Sequence, residues 1–461
     1  MGQPLFLLVL TYSLAILCGE ASAKKAIGHR FARVSLHDEN NDLLKRATAI
    51  STLSINATKA AAYFISVQVG TPPQSLQLQL STGSSDVWIL SSDATACAGN
   101  KTCITPFEKS ASTSISNVTL GDFNISYVDG TNAIGDYIKD TIVFDDMLDD
   151  GLILQMALVS ETTSSYGIMG IGYPGNEFAN TKVFSLWLDA DSEFGSILFG
   201  GIDRDKYYGT PKSMLVYPDD SEVYREFSVG LKAVTYSGFG VGSLPTTFTN
   251  SSFSTPVVLE SSTDQMYLPN DLTDAIYESL EVYEHTTYGI AVIDCVFKSL
   301  WTLSFTFDSG SLVNVSSNQL IYDMPVTYRP NTRFDTDCGL GIHRTSKGAS
   351  SSLGDNSLRS AYVVYDLTNN LIAVAQSNLD SKSEDIIEIP PGATTIPEAI
   401  GQSMKTSSLR GGSSTSSASS TTSTTSPASA STSKKSHATT VNIGIGLPVA
   451  IFVVALIVIG F

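Results

Sequence analysis

The chain has 461 residues, of which 42% are hydrophobic and 16% charged. That is enough chain for two lobes with cores of their own and too much for one small domain. The formal net charge of −18 excludes nucleic acid as a partner, because phosphate binding requires a basic face.

Residues 1–23 join an apolar run, Leu5 to Cys18, to the small-residue site Ala21-Ser22-Ala23. They predict a secretory signal peptide, although no Lys or Arg precedes the run. Residues 24–46 follow as a basic stretch closed by Lys45-Arg46. That pair is either the cut site of a short pro-segment or an exposed pair of charges.

From Tyr63 the pattern has period two. Ile65, Val67 and Val69 alternate with polar residues, Gly70-Thr71-Pro72-Pro73 breaks the run, and Leu76, Leu78 and Leu80 alternate with Gln77 and Gln79. This predicts a strand, a turn and a strand with one face buried. Further strands are expected over Asn124 to Tyr127, Ser196 to Phe199, Leu303 to Phe307, Ala361 to Tyr365 and Leu371 to Ala375, the last two joined by a hairpin turn at Asn369-Asn370. The clearest helix begins at Asp271 as N-cap, with Leu272, Ala275, Ile276 and Leu280 on one face. The fold class is therefore mainly β, with a first lobe over 61–220 and a second over 221–380.

Residues 381–440 predict a stalk. Its run from Ser407 to Ser436 is dominated by Ser and Thr, cannot bury a core, and suits O-glycosylation. The chain ends in VNIGIGLPVAIFVVALIVIGF, residues 441–461, without a charge. The tail is long enough to span a bilayer, yet no Lys or Arg follows it. Small residues at Ser429 to Ser433, a polar spacer from Lys434 to Asn442 and the apolar tail favour a GPI-attachment signal over a transmembrane anchor. Either places the protein at a membrane or wall, facing outward.

Of five cysteines, Cys18 leaves with the signal, and Cys97, Cys103, Cys295 and Cys338 remain. An even number in a secreted chain predicts two disulfides. Three connectivities are open, and local pairing within each half is the simplest. No close Cys or His pair has metal-ligand spacing, so no metal is expected. Sequons at Asn56, Asn100, Asn117, Asn124, Asn250 and Asn314 predict a glycosylated surface.

Two stretches echo each other: LQLSTGSSDVW, ending at Trp88, and VVLESSTDQMY, ending at Tyr267. In each, an apolar strand leads to one polar residue, Ser81 or Glu260, followed by small hydroxyl or glycine residues. Two copies of a strand-to-loop element suggest two facing lobes, and ligand sites favour such boundaries.

With YFISVQVGTPPQ, ISYVDGT, GIMGIGYP, SILFGGIDRDKYYG, VVLESSTDQMYLP and SLGDNSLRSAYVVYDL in order, the chain resembles the pepsin-like aspartic endopeptidases, especially the fungal, surface-anchored kind, from Tyr63 to Ser377. The resemblance implies two β lobes around a long cleft, one disulfide in each lobe, no cofactor, and a carboxylate from each lobe at the tip of a D-T-G or D-S/T-G loop. Two close carboxyl groups share one proton. One acts as base on a water while the other protonates the scissile carbonyl.

Carried over residue by residue, the two catalytic positions are Ser81 and Glu260, and the second motif's glycine is Ser262. Thr82 and Gly83 match after Ser81, Ser261 and Thr263 flank Ser262, Tyr127 matches the flap tyrosine, and Trp88 matches its aromatic neighbour. Gly83, Tyr127, Ser262 and Thr263 are thus the expected substrate-binding residues. A serine hydroxyl does not hold a negative charge at acid or neutral pH. Glutamate is one methylene longer than aspartate, and a misplacement of about 1 Å costs about 10²-fold. Loss of a general base costs about 10²–10⁴-fold more.

Asp86 and Asp264 are not at the strand tips and are not expected to substitute. Of the histidines, His29 and His37 lie before the first lobe, His437 in the stalk, and His285 and His343 away from the cleft, so no Ser-His arrangement is expected. The expected function is a surface-anchored, catalytically impaired, monomeric homologue that binds extended peptides in its cleft. An acid endopeptidase with an atypical Ser/Glu site and a structural wall glycoprotein are the alternatives.

Overall fold

The computed structural model describes residues 27–35, 61–98, 103–127, 130–144, 152–173, 183–189, 194–238, 244–285, 289–324, 332, 334–390 and 392–403, all within one compact unit. The signal peptide, Lys45-Arg46, Asn56, Asn100, the Ser/Thr-rich run and the apolar tail lie outside the described residues.

The first half supplies β1 (Ile27–Ser35), β2 (Ala61–Val69), β3 (Gln74–Ser81), β4 (Val87–Leu90), β5 (Ser116–Ser126), β6 (Asn132–Phe144), β7 (Leu152–Thr162), β8 (Gly167–Gly170), β9 (Val183–Leu188) and β10 (Phe194–Phe199). These strands enter one 14-stranded sheet, in the order β9-β10-β1-β2-β3-β8-β4-β7-β6-β5. The period-two pattern sets β2 and β3. Tyr63, Ile65, Val67 and Val69 on one strand and Leu76, Leu78 and Leu80 on the other are buried, with Ser66 exposed. The two strands pair antiparallel, Val67 opposite Leu76.

The second half builds an eight-stranded sheet around Ser228–Ser237, Thr255–Leu259 and Thr302–Phe307, and a four-stranded one that includes Ile290–Asp294 and Asp337–Leu340. It also lends two strands to the large sheet: Ala361–Asp366 pairs with β9 and Leu371–Ser377 with Ala361–Asp366, and Tyr207–Leu215, from the end of the first half, pairs with Leu371–Ser377. The result is a two-lobed, mainly β body whose halves share a sheet.

The expected hairpin at Asn369-Asn370 is present. Asn370 adopts φ 52°, and the Asp366 carboxylate accepts from the Asn369 N–H at 3.0 Å. The expected helix spans Asn270–Ser279 and buries Leu272 and Ile276, but Asp271 lies in its first turn and is not the cap. The cap position is Pro269, whose fixed φ suits a helix entry and whose side chain makes no capping bond. The body also extends past the expected stalk boundary at 381. Ile386–Glu388 pairs with Gly201–Asp203, and Ile389 and Ile396 are buried, because this stretch still carries apolar residues enough to dock. Among the described residues no helix is long and apolar enough to cross a membrane.

Both expected disulfides form: Cys97–Cys103 in the first half and Cys295–Cys338 in the second. The described sequon asparagines Asn117, Asn124, Asn250 and Asn314 are all exposed.

Candidate active site

Each half drives one strand to the lobe boundary. β3 pairs parallel with β8, Ser81 opposite Gly170, and the loop beyond it is clasped by main-chain bonds from Ile171 to Ser81 (2.9 Å) and Gly172 to Ser84 (2.8 Å). A Cβ at Gly170 would lie 2.5 Å from the Asp86 carbonyl, so that clasp requires glycine. In the second half, Thr255–Leu259 pairs parallel with Ser352–Leu353, and the Glu260 N–H donates to the Leu353 carbonyl at 3.0 Å. The faint echo between the two stretches is therefore a repeated strand-to-loop element.

The two tips are locked together by reciprocal bonds across the boundary. Thr82 Oγ1 donates to the Leu259 carbonyl at 2.8 Å and accepts from the Ser261 N–H at 2.8 Å. Ser261 Oγ donates to the Leu80 carbonyl at 3.1 Å and accepts from the Thr82 N–H at 3.1 Å. Thr82 and Ser261 are buried, so water offers these groups no alternative partners.

Within this frame Ser81 and Glu260 face each other, with Ser81 Oγ 3.5 Å from Glu260 Oε1. Ser262 sits between them. Its Oγ donates to Glu260 Oε1 at 2.5 Å and lies 3.0 Å from Ser81 Oγ. The same Oε1 accepts from the Ser262 N–H at 3.1 Å and the Gly83 N–H at 3.2 Å. The extra methylene of glutamate carries the other oxygen over Gly83: a Cβ there would lie 1.3 Å from Glu260 Oε2. Gly83 is thus required by the glutamate itself.

Burial pushes the Glu260 carboxyl above its ordinary pKa; the Ser262 hydroxyl, the Ser262 N–H and the Gly83 N–H pull it partly back, and the charge of Glu226 adds to the rise. Desolvation is the largest of these influences, so the rise does not depend on a carboxylate at position 81.

Tyr127 closes over the first tip. Its hydroxyl accepts from Trp88 Nε1 at 2.8 Å and lies 3.4 Å from Ser84 Oγ. Burial raises its pKa, and the charges of Asp86 and Glu260 add to that. β5 and β6 pair antiparallel up to Ser126 opposite Asn132, so Tyr127, expected as the last residue of a strand, stands one residue beyond the observed strand, in the turn of a hairpin. The Thr263 carbonyl accepts from the Asp355 N–H at 2.7 Å, which ties the second loop to the helical turn Asp355–Leu358.

Asp86 is raised by burial, and its charge bears on Tyr127 and Tyr137; the Asp264 charge bears on Tyr322 and Arg359. His343 lies against Tyr267, with ring centroids 5.6 Å apart. One contributor escaped the sequence reading. Gln79, expected on the polar side of β3, is buried, and its Nε2 donates to the Ser262 carbonyl at 3.0 Å. Alternation with Leu78 and Leu80 reads this amide as solvent-facing, and no neighbouring residue signals otherwise.

Residues 62–377 match the family model described as eukaryotic aspartyl protease. The chain belongs to the eukaryotic aspartyl protease family. Family relatives include the probable aspartic-type endopeptidase opsB of Aspergillus fumigatus, 33% identical over 75% of this chain and 75% of the relative. The secreted aspartic protease 7 of Candida albicans is 30% identical over 72% of this chain and 62% of the relative. The aspartic proteinase yapsin-3 of Saccharomyces cerevisiae is 28% identical over 84% and 80%. In this aspartyl protease homologue the two facing tips bring together the carboxyl group of Glu260 and the hydroxyls of Ser81 and Ser262.

Proposed function

We propose that this aspartyl protease homologue is a secreted, surface-anchored protein that binds extended peptides in its cleft and hydrolyses them far more slowly than a member with two aspartates. The observation that carries this reading is the hydroxyl of Ser81 standing 3.5 Å from Glu260, where the chemistry calls for a second carboxylate. One carboxyl group cannot be both the base that activates water and the acid that protonates the carbonyl in the same step. Oε1 of Glu260 is also already engaged by Ser262 and Gly83 donors, which hold it away from a water. Peptide binding does not need the dyad. Main-chain pairing and side-chain pockets hold an extended strand, and Tyr127 remains positioned by Trp88 to close over it. The signal peptide, stalk and apolar tail support the outward-facing location, and names such as secreted aspartic protease among the relatives agree with it.

The test is hydrolysis of a broad peptide library between about pH 3 and pH 6 by tail-free protein. It includes Glu260→Gln and the triple change Ser81→Asp/Glu260→Asp/Ser262→Gly, since Ser262 Oγ fills the space between the tips. The expected result is negligible cleavage by the natural protein and measurable cleavage after restoration. Cleavage by the natural protein that disappears in Glu260→Gln overturns the reading in favour of a one-carboxylate acid endopeptidase. Silence of both, with no peptide retained, leaves the wall-glycoprotein reading.

A further inference from the structure

We propose that Asn117 and Asn124 carry N-linked glycans that cap the open edge of the large sheet. Among the described residues β5 is the last strand of that sheet, hydrogen-bonded to β6 on one side and to no strand on the other. It is 11 residues long, and Phe123 is its only buried residue. Val118 and Leu120 are 41% and 69% exposed. An exposed strand of this length offers its free N–H and C=O groups to another chain, and proteins usually blunt such edges with lysine, proline, bulges or a cover. SNVTLGDFNIS contains no lysine and no proline, and Asp122 is its single charge. Two register shifts, between Asn117 and Thr119 and between Thr119 and Phe123, interrupt its pairing, and the Asp136 carboxylate accepts from the Gly121 N–H at 2.7 Å.

Both sequons of this strand project to one side of the sheet. Asn117 lies opposite Ile138 and Asn124 opposite Ile134. Those two β6 residues are an even number of positions apart, so they and their partners share a face. Phe123, beside Asn124, turns to the other face and packs with Trp88 and Ala133. Their partners Ile134 and Ile138 lie four residues apart on β6, so at about 3.4 Å per residue the two asparagines stand about 14 Å apart along the edge. Both side chains are exposed. The pattern recurs on the second large sheet: its edge strand Leu312–Ser316 carries Asn314. There the main chain is already met by Gln376, which accepts from the Asn314 N–H at 2.8 Å and donates to its carbonyl at 3.3 Å. Asn250 differs: it sits in a turn, with its side chain accepting from the Ser252 N–H at 3.0 Å.

The modification is group transfer from a lipid-linked diphosphate oligosaccharide. A bond forms between the sugar's anomeric carbon and Asn Nδ2, the bond from that carbon to the diphosphate breaks, and the amide nitrogen gives up a proton.

The experiment uses the full chain, expressed with its own leader in a fungal secretory host. Peptide:N-glycosidase digestion in heavy-oxygen water, followed by peptide mass mapping, reads occupancy as labelled aspartate at 117 and 124. Light scattering over a concentration series then compares natural protein, natural protein deglycosylated after folding, Asn117→Gln/Asn124→Gln, and Asn250→Gln. Loss of the two edge glycans, by enzyme or by substitution, should bring on self-association at about tenfold lower concentration, the equivalent of one or two additional edge hydrogen bonds. Asn250→Gln should behave like natural protein. Adding Leu120→Lys to the glycan-free variant should restore the monomer, because a charge on the edge replaces the glycan's role. Unlabelled asparagine at both positions overturns the proposal. So does a glycan-free edge that associates no more than Asn250→Gln.

Discussion

Replacing Gly83 by alanine probes the carboxyl that fills the space between the lobes. The new Cβ would lie 1.3 Å from Glu260 Oε2 and 2.3 Å from its Cδ. The carboxyl must retreat by about 2 Å to turn that 1.3 Å approach into the 3.4 Å of ordinary contact. Overpacking of this kind costs about 1–3 kcal/mol, and the retreat pulls Oε1 from its donors on Ser262 and Gly83, bonds to a charged group worth about 1.5–3 kcal/mol each. Gly83→Ala should therefore lose about 3 kcal/mol of stability, part of the bonding being recovered by solvent in the cleft. In a Glu260→Ala background nothing stands over Gly83, and the same change should cost less than about 1 kcal/mol. Urea unfolding at neutral pH of the four proteins in this double-mutant cycle gives the coupling directly, expected at about 2 kcal/mol. A coupling below about 0.5 kcal/mol would mean that the Glu260 carboxyl does not lie over Gly83, and would refute the site geometry.

Two further outcomes follow from the same structure. Burial depresses the pKa of His343 from 6.5 to about 4, and its Nε2 is buried without a hydrogen-bond partner. A base with a depressed folded pKa leaves the unfolded chain to take up the proton first, so stability is full above about pH 6.5 and falls as pH drops toward about 4. The drop is about 3 kcal/mol at about 1.4 kcal/mol per pH unit; His343→Phe should remove that slope in unfolding midpoints measured across the range, and an unchanged slope would assign it elsewhere. Thr82→Val deprives the Leu259 carbonyl and the Ser261 N–H of their partner at the lobe boundary and should cost about 2–5 kcal/mol, whereas Thr82→Ser keeps both bonds and should cost less than about 1 kcal/mol by the same unfolding assay.

Local patterns determined much of this protein. Alternation at Ile65, Val67, Leu76 and Leu78 specified two strands and their buried face, because side chains on a strand point alternately to either side. The resemblance to the aspartic endopeptidases pointed to Ser81 and Glu260 as the two tips, and there side-chain chemistry alone implies that only one of them carries a carboxyl group. What lies across the boundary was decided only in three dimensions. Ser262 reaches Ser81 over a separation of 181 residues, Gln79 reaches Ser262 over 183, and neither bond leaves a trace in its neighbours along the chain. The placement of Ala361–Asp366 beside β9, the pairing of Ile386–Glu388 and burial of Ile389 and Ile396 against the body, and the need for glycine at position 83 belong to the same class. Periodicity reports which face of an element is buried; which partner buries it, and how much room that partner leaves, is settled when distant segments pack.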